Sequence, residues 1–196
     1  MDKLLTRKNI FIILGLVILV EVLWALGTLI RPTPTPQTPT TTAPAVKLKP
    51  TTVNLQAAKT SLKVGEKITV SMNISSDKKT DGTDLVITYD PKLLSVETVG
   101  TTKQPVIAGV IYSDYPLNSL NQATGRISVS GITDTPGGVL ADGLFGSVVF
   151  VGKTAGSAQI SLEFSPGSTA DSNVTESGSG KDVLEKVESL EVSISQ

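Results

Sequence analysis

Ile68-Thr69-Val70-Ser71-Met72-Asn73-Ile74-Ser75 alternates apolar and polar side chains without a break. A period of two puts Ile68, Val70, Met72 and Ile74 on one face of an extended chain and their neighbours on the other. The segment is predicted to be a half-buried strand. Outward from it, strand-like runs recur at Asp84–Tyr89, Ser95–Val99, Val106–Ser113, Arg126–Ile132, Leu144–Val151, Ala158–Phe164 and Leu190–Ser195. Turn-forming residues separate them: Asp81-Gly82, Asp90-Pro91, Thr124-Gly125, Pro136-Gly137-Gly138 and Ala155-Gly156. Many short strands at this spacing predict an all-β sandwich. Only Gly180–Leu190 carries a competing helical pattern, with Val183, Val187 and Leu190 at three- and four-residue intervals.

These strands fall within residues 51–196, 146 of the 196 residues, enough for one domain with a real core. The protein has no cysteine and no histidine, which excludes disulfides, thiol nucleophiles, Ser-His-Asp chemistry and the usual zinc sites. The domain holds 16 acidic and 11 basic residues, a balance of −5, with no basic block. Nucleic acid is therefore not an expected partner.

Before the domain lies the one long apolar run, Ile10–Ile30. Its 21 residues suffice for a ~30 Å hydrocarbon layer at ~1.5 Å rise per residue, so a transmembrane helix is predicted over 10–30. Glu21 interrupts the run. Fifteen Leu, Ile, Val or Phe residues outweigh a central charge costing roughly 3 kcal/mol. Lys3, Arg7 and Lys8 precede the span and Arg31 alone follows closely, which places residues 1–9 in the cytoplasm and the C-terminal domain outside. The small-x-small sequence Ala25-Leu26-Gly27 leaves a cleavable signal peptide as the alternative. Residues 31–50, with Pro32-Thr33-Pro34-Thr35-Pro36 and Thr40-Thr41-Thr42, form a Pro/Thr-rich linker. Its 19 residues from Pro32 to Pro50 would extend roughly 60 Å as polyproline II.

The chemical motifs are individually weak. Asp77, Asp81, Asp84 and Asp90 place four carboxylates in fourteen residues, and oxygen-rich loops hold calcium. Their spacing is not that of an EF-hand, and acidic residues are ordinary in surface turns, so no cofactor is required. Ser177-Gly178-Ser179-Gly180-Lys181 lacks the first glycine and the Ser/Thr of a phosphate loop. Glycosidase chemistry needs two carboxylates across a deep cleft, which a small sandwich gives no reason to expect. The domain is not expected to be an enzyme.

Several stretches together resemble cohesin domains. Ser61-Leu62-Lys63-Val64-Gly65-Glu66-Lys67-Ile68-Thr69-Val70 is similar to the opening turn and second strand of that family, and Gly82 to Val96 to its strand and Tyr-Asp-Pro turn, here Tyr89-Asp90-Pro91. Gly125–Gly131 resembles the middle strand, Leu144–Phe150 the next, and Thr169-Ala170-Asp171-Ser172-Asn173 the Ala-Asp-x-Asn loop. The resemblance implies a nine-stranded, jelly-roll-like, non-catalytic sandwich that binds a dockerin-type protein module on one exposed sheet face. It also brings Asp171 and Asn173 forward, either to serve a cation or to cap a turn.

By the family's pattern, partner-binding positions fall on Asp84, Asp134 and Gly137. Alternation then places Asp84, Val86 and Thr88 on the outward side of one strand, with Ser128 and Ser130 outward on its neighbour. The alternative is a membrane-tethered module that binds polysaccharide. Sugar sites present flat aromatic rings, yet the only tryptophan, Trp24, lies in the apolar run. Tyr112 and Tyr115 are then the carbohydrate-binding candidates, with Tyr89, Phe145, Phe150 and Phe164 assigned to the core. The expected function is a cell-surface protein-binding module, anchored in the membrane as a scaffold or adhesion element.

Overall fold

The computed structural model describes residues 7–29 and 49–196, with side chains in the first segment described over 11–25. The chain divides into two units, Met1–Val46 and Lys47–Gln196. In the first, α1 runs Arg7–Leu29. Every side chain over 11–25 is exposed, and all are apolar except Glu21. Among the described residues no helix is long and apolar enough to cross a membrane. The described helix does not by itself show the predicted span over 10–30. Most of the predicted 31–50 linker, and residues 1–6, lie outside the described residues.

The second unit is built from β1 (Thr51–Ala57), β2 (Ser61–Lys63), β3 (Lys67–Ser75), β4 (Lys79–Tyr89), β5 (Leu94–Glu97), β6 (Val106–Ala108) and β7 (Asp114–Asn121). After these come β8 (Arg126–Ile132), β9 (Val139–Leu140), β10 (Gly143–Gly152), β11 (Gly156–Leu162), β12 (Asn173–Glu176), β13 (Leu184–Glu188) and β14 (Leu190–Ser195). One sheet has the order β13-β1-β3-β10-β5, with β6 also on β10. The other has the order β2-β14-β11-β4-β8-β7, with β9 and β12 also on β4. Pairing is antiparallel except for β1 with β13 and β2 with β14. The predicted nine strands become fourteen segments, because single positions are filled by two segments in succession. Beside β10, for example, β5 pairs residues 149–152 and β6 pairs residues 146–148.

Alternation decides which faces close on each other. Ile68, Val70, Met72 and Ile74 are 1–3 % exposed, as predicted, and meet Leu85, Ile87, Ile127 and Val129 of the second sheet in one core. Phe145 and Phe150 are completely buried within it. Tyr89 stands edge-on to Phe150 at 5.2 Å between centroids, and Tyr112 to Phe145 at 5.9 Å, the geometry that ring quadrupoles favour. Gly131 makes room for that second pair, since a Cβ there would lie 2.7 Å from the Tyr112 ring and 2.8 Å from Phe145.

Two predicted elements are corrected. Val106–Ser113 is not one strand: β6 ends at Ala108, and Gly109 and Val110 then donate to the Phe145 and Leu144 carbonyls at 2.9 and 3.0 Å. Gly109 is needed for this approach, because a Cβ would sit 2.1 Å from the Leu144 oxygen. The chain next crosses to the second sheet and forms β7, an edge strand whose Pro116 falls at a register shift, where its missing N–H is tolerated. The helical pattern of Gly180–Leu190 is also overridden. Residues Leu184–Glu188 are strand β13, with Val183 and Leu184 buried. Parallel pairing to β1 supplies backbone partners that an isolated short helix would lack.

Candidate partner-binding face

Strands β4, β8 and β7 present an exposed outer surface, and their register sets its pattern. Asp84 pairs with Ser130 and Ser130 with Leu117; Val86 pairs with Ser128 and Ser128 with Ser119; Thr88 pairs with Arg126 and Arg126 with Asn121. Inward residues Ile127, Val129 and Gly131 alternate with these, so the polar set stands on the solvent side. The register thus brings Asp84, Ser128 and Ser130 to one outer face.

The Asp84 carboxylate is held from two sides. One oxygen accepts the Ser130 hydroxyl, and the other accepts Asn173 Nδ2 at 3.3 Å from β12. Asn173 also donates to the Asp171 carbonyl at 3.3 Å, a local turn bond. A recess of about 380 Å³ opens here between Asp84, Ser128, Ser130 and Leu117 on the sheet and Thr169 to Asp171 on the neighbouring loop. Leu117, 44 % exposed, is its apolar wall. Neither Leu117 nor this loop wall was among the predicted site residues. Leu117 belongs to β7, a strand whose polar composition hid it, and the loop wall depends on long-range packing.

The expectation that Val86 is presented to a partner is corrected. Val86 is 7 % exposed although it lies outside the core cluster. Residues 163–172 separate β11 from β12, and this strap lies along β4 at Val86. The Val86 N–H donates to Ser172 Oγ at 3.0 Å, and its carbonyl accepts the Glu163 N–H at 2.8 Å. Thr88 is half-buried. Nearby, Arg126 pairs with Glu163 at 3.0 Å.

Asp134 and Gly137 lie beyond the end of β8, in a turn that is exposed over 134–137. Thr133 N–H donates to the Asp81 carbonyl at 3.0 Å, and Ser113 Oγ donates to Asp134 Oδ1 at 3.5 Å. Gly137, at φ 78°, occupies the left-handed region that the turn requires.

The carbohydrate candidates are corrected outright. Tyr112 is 5 % exposed, its hydroxyl sharing hydrogen bonds of 2.7 Å with both Thr80 Oγ1 and Thr83 Oγ1. Tyr115 packs edge-on against Phe145 at 5.4 Å and donates to the Phe145 carbonyl at 2.5 Å. Burial raises both phenol pKa values, most of the cost being desolvation of the anion. Tyr112 is closed to a sugar, and Tyr115 is half-buried. Three of the four carboxylates considered for calcium have separate local partners, those of Asp84 being given above. Asp90 accepts the Lys92 N–H at 2.8 Å to close its turn, and Asp77 accepts the Lys49 N–H at 2.7 Å. Among the described residues no three acidic side chains gather where they could hold a metal ion.

The sequence matches no protein-family model and no curated protein. Solved structures match it in shape. A type II cohesin domain from the cellulosome of Acetivibrio cellulolyticus gives a TM-score of 0.61 at 20 % identity, covering 74 % of this chain and 95 % of that one. The third cohesin of ScaC from the same organism, solved with the ScaB dockerin, gives 0.59 at 14 % identity, covering 74 % and 99 %. A type I cohesin–dockerin complex from Clostridium thermocellum gives 0.54 at 20 % identity, covering 73 % and 99 %. The domain has a cohesin fold. Within it, the Tyr89-Asp90-Pro91 turn is clasped by Gly125, whose carbonyl accepts the Tyr89 N–H at 2.9 Å, and a Cβ at Gly125 would lie 2.0 Å from the Tyr89 oxygen. At these identities the likeness carries the fold of the cohesins and not their partners.

Proposed function

We propose that the protein is a non-catalytic module that captures a dockerin-type protein domain on the outer face of β4 and β8, and that its N-terminal helix tethers it to a membrane. The observation that carries the binding proposal is the exposed Asp84–Ser130–Leu117 row with its recess, on a cohesin fold. Asp84 offers a fixed acceptor to a partner's Lys, Arg or hydroxyl, Ser128 and Ser130 supply neutral hydrogen-bonding groups, and Leu117 supplies an apolar anchor point. Asp134 and Gly137 extend the surface at one end. A charge-assisted hydrogen bond to a desolvated Asp84 would contribute roughly 1.5 to 3 kcal/mol.

The tether is supported by the helix Arg7–Leu29, apolar over its described side chains except at Glu21, and by the basic N-terminal flank. In this arrangement the short N-terminus is cytoplasmic and the domain extracellular, displayed as a scaffold or adhesion anchor. The test is capture of an immobilised panel of dockerin modules by the full chain in detergent. At least one dockerin should bind saturably, and Ser128→Arg should reduce that binding more than tenfold. Absence of any dockerin binding, or undiminished binding by folded Ser128→Arg, contradicts the proposal.

A further inference from the structure

The opposite outer face, on the sheet containing β1, β3 and β10, has a different chemistry. One row of cross-strand neighbours runs Gln56, Ser71, Ser147 and Ile107, and beside it Asn73 pairs with Leu144. None of these side chains is charged, in a domain with a balance of −5 by its 16 acidic and 11 basic residues. The charges at the margins close on one another: Lys67 with Glu97 at 2.5 Å, and Lys186 with Glu188 at 2.7 Å. A recess of about 610 Å³, larger than the one on the partner face, opens over Gln56, Ser71 and Asn73 with Leu144 and Ala58 at its sides.

Its hydrogen-bonding groups are pre-set. Asn73 Nδ2 donates to Gln56 Oε1 at 3.3 Å, which orients both amides and leaves the Asn73 oxygen and the Gln56 NH₂ without protein partners. Strand geometry spaces outward groups about 6.8 Å apart along each strand and about 4.8 Å apart between strands. Neutral donors and acceptors thus alternate with the apolar Leu144 and Ile107, the latter 43 % exposed.

We propose that this face binds a neutral polysaccharide. A sugar chain carries no charge, presents hydroxyls that both donate and accept, and offers apolar C–H faces to Leu144 and Ile107. Among the described residues an anionic ligand finds no cation free of a partner along the row, and a protein partner finds in the recess only the half-buried Leu144 as a large apolar side chain. The site lies on the other side of the sandwich from the proposed dockerin face, so both could be filled at once, and it does not rest on that proposal.

Affinity electrophoresis of the full chain in detergent tests it, through gels containing soluble β-glucan, xylan, mannan or dextran, with polygalacturonate as the anionic control. At least one neutral polymer should retard the protein, and Ser71→Arg should weaken that retardation at least tenfold. Gln56→Ala, at an exposed position, should weaken it severalfold and guards against misfolding of the first variant. Ser128→Arg should leave retardation unchanged. The proposal is overturned if no neutral polymer retards the protein, if only polygalacturonate does, if Ser71→Arg and Gln56→Ala migrate like the wild type, or if Ser128→Arg abolishes the effect.

Discussion

Tyr112 shows how a single side chain separates two functions that the sequence leaves open. Its ring fills the space left by Gly131, its hydroxyl is used by Thr80 and Thr83, and it has nothing left to offer a sugar. The other two tyrosines of the protein are also packed, and burial pushes the Tyr89 phenol up to about 12. A folded pKa raised above the unfolded value of about 10 means stability is fully present below pH 10 and is lost as pH rises towards 12. Absorbance at 295 nm should therefore show the Tyr89 phenol ionising towards pH 12 or on unfolding, and not near pH 10. Titration of all three tyrosines near pH 10 in the folded domain would contradict this burial. Ile87, at 1 % exposure, was legible from alternation alone. Ile87→Ala should cost roughly 2 to 5 kcal/mol in denaturant unfolding, and a loss below about 1 kcal/mol would refute its central place. Val86 was not legible, because its cover comes from residues far along the chain.

That cover is the strap over 163–172, and it marks what periodicity conveys about elements and what it does not. Arg126–Ile132 and Leu190–Ser195 coincide with β8 and β14, since each alternates cleanly on a half-buried sheet. β7 escaped notice because Pro116 and the polar Asn118, Ser119 and Asn121 weaken the pattern of an edge strand. Its place is fixed from a distance. Asn118 bridges to β6, accepting the Val106 N–H at 3.1 Å and donating to its carbonyl at 2.8 Å, so one amide stands in for a strand partner. The strap works similarly. Ser172 is completely buried and satisfies the Val86 N–H that no strand pairs. Ser172→Ala should therefore destabilise the domain by roughly 1 to 3 kcal/mol, the cost of an unsatisfied buried donor. Hydrogen exchange should quicken at Val86 in this variant, and unchanged protection there would show that Ser172 is dispensable.

For the molecule as a whole, the proposed topology makes a simple prediction. Protease added to intact cells should release the domain by cutting within residues 31–50, and a domain protected until the membrane is broken would reverse the orientation. Alternation and the spacing of turns made the sandwich class legible, and the ordered resemblance made the cohesin fold legible. The proposed surface was only half legible: Asp84 came from the resemblance to cohesins, with Ser128 and Ser130 added by alternation, whereas Leu117, the strap and the burial of Val86 depend on packing between remote segments. The central claim is that the β4–β8 face holds a dockerin. Calorimetric titration of the full chain in detergent with a captured dockerin measures it most directly, comparing the wild type with Ser128→Arg and with Ser71→Arg on the opposite face. The account predicts at least a tenfold loss of affinity for Ser128→Arg and none for Ser71→Arg; equal affinity for Ser128→Arg and wild type, with both folded, would contradict it.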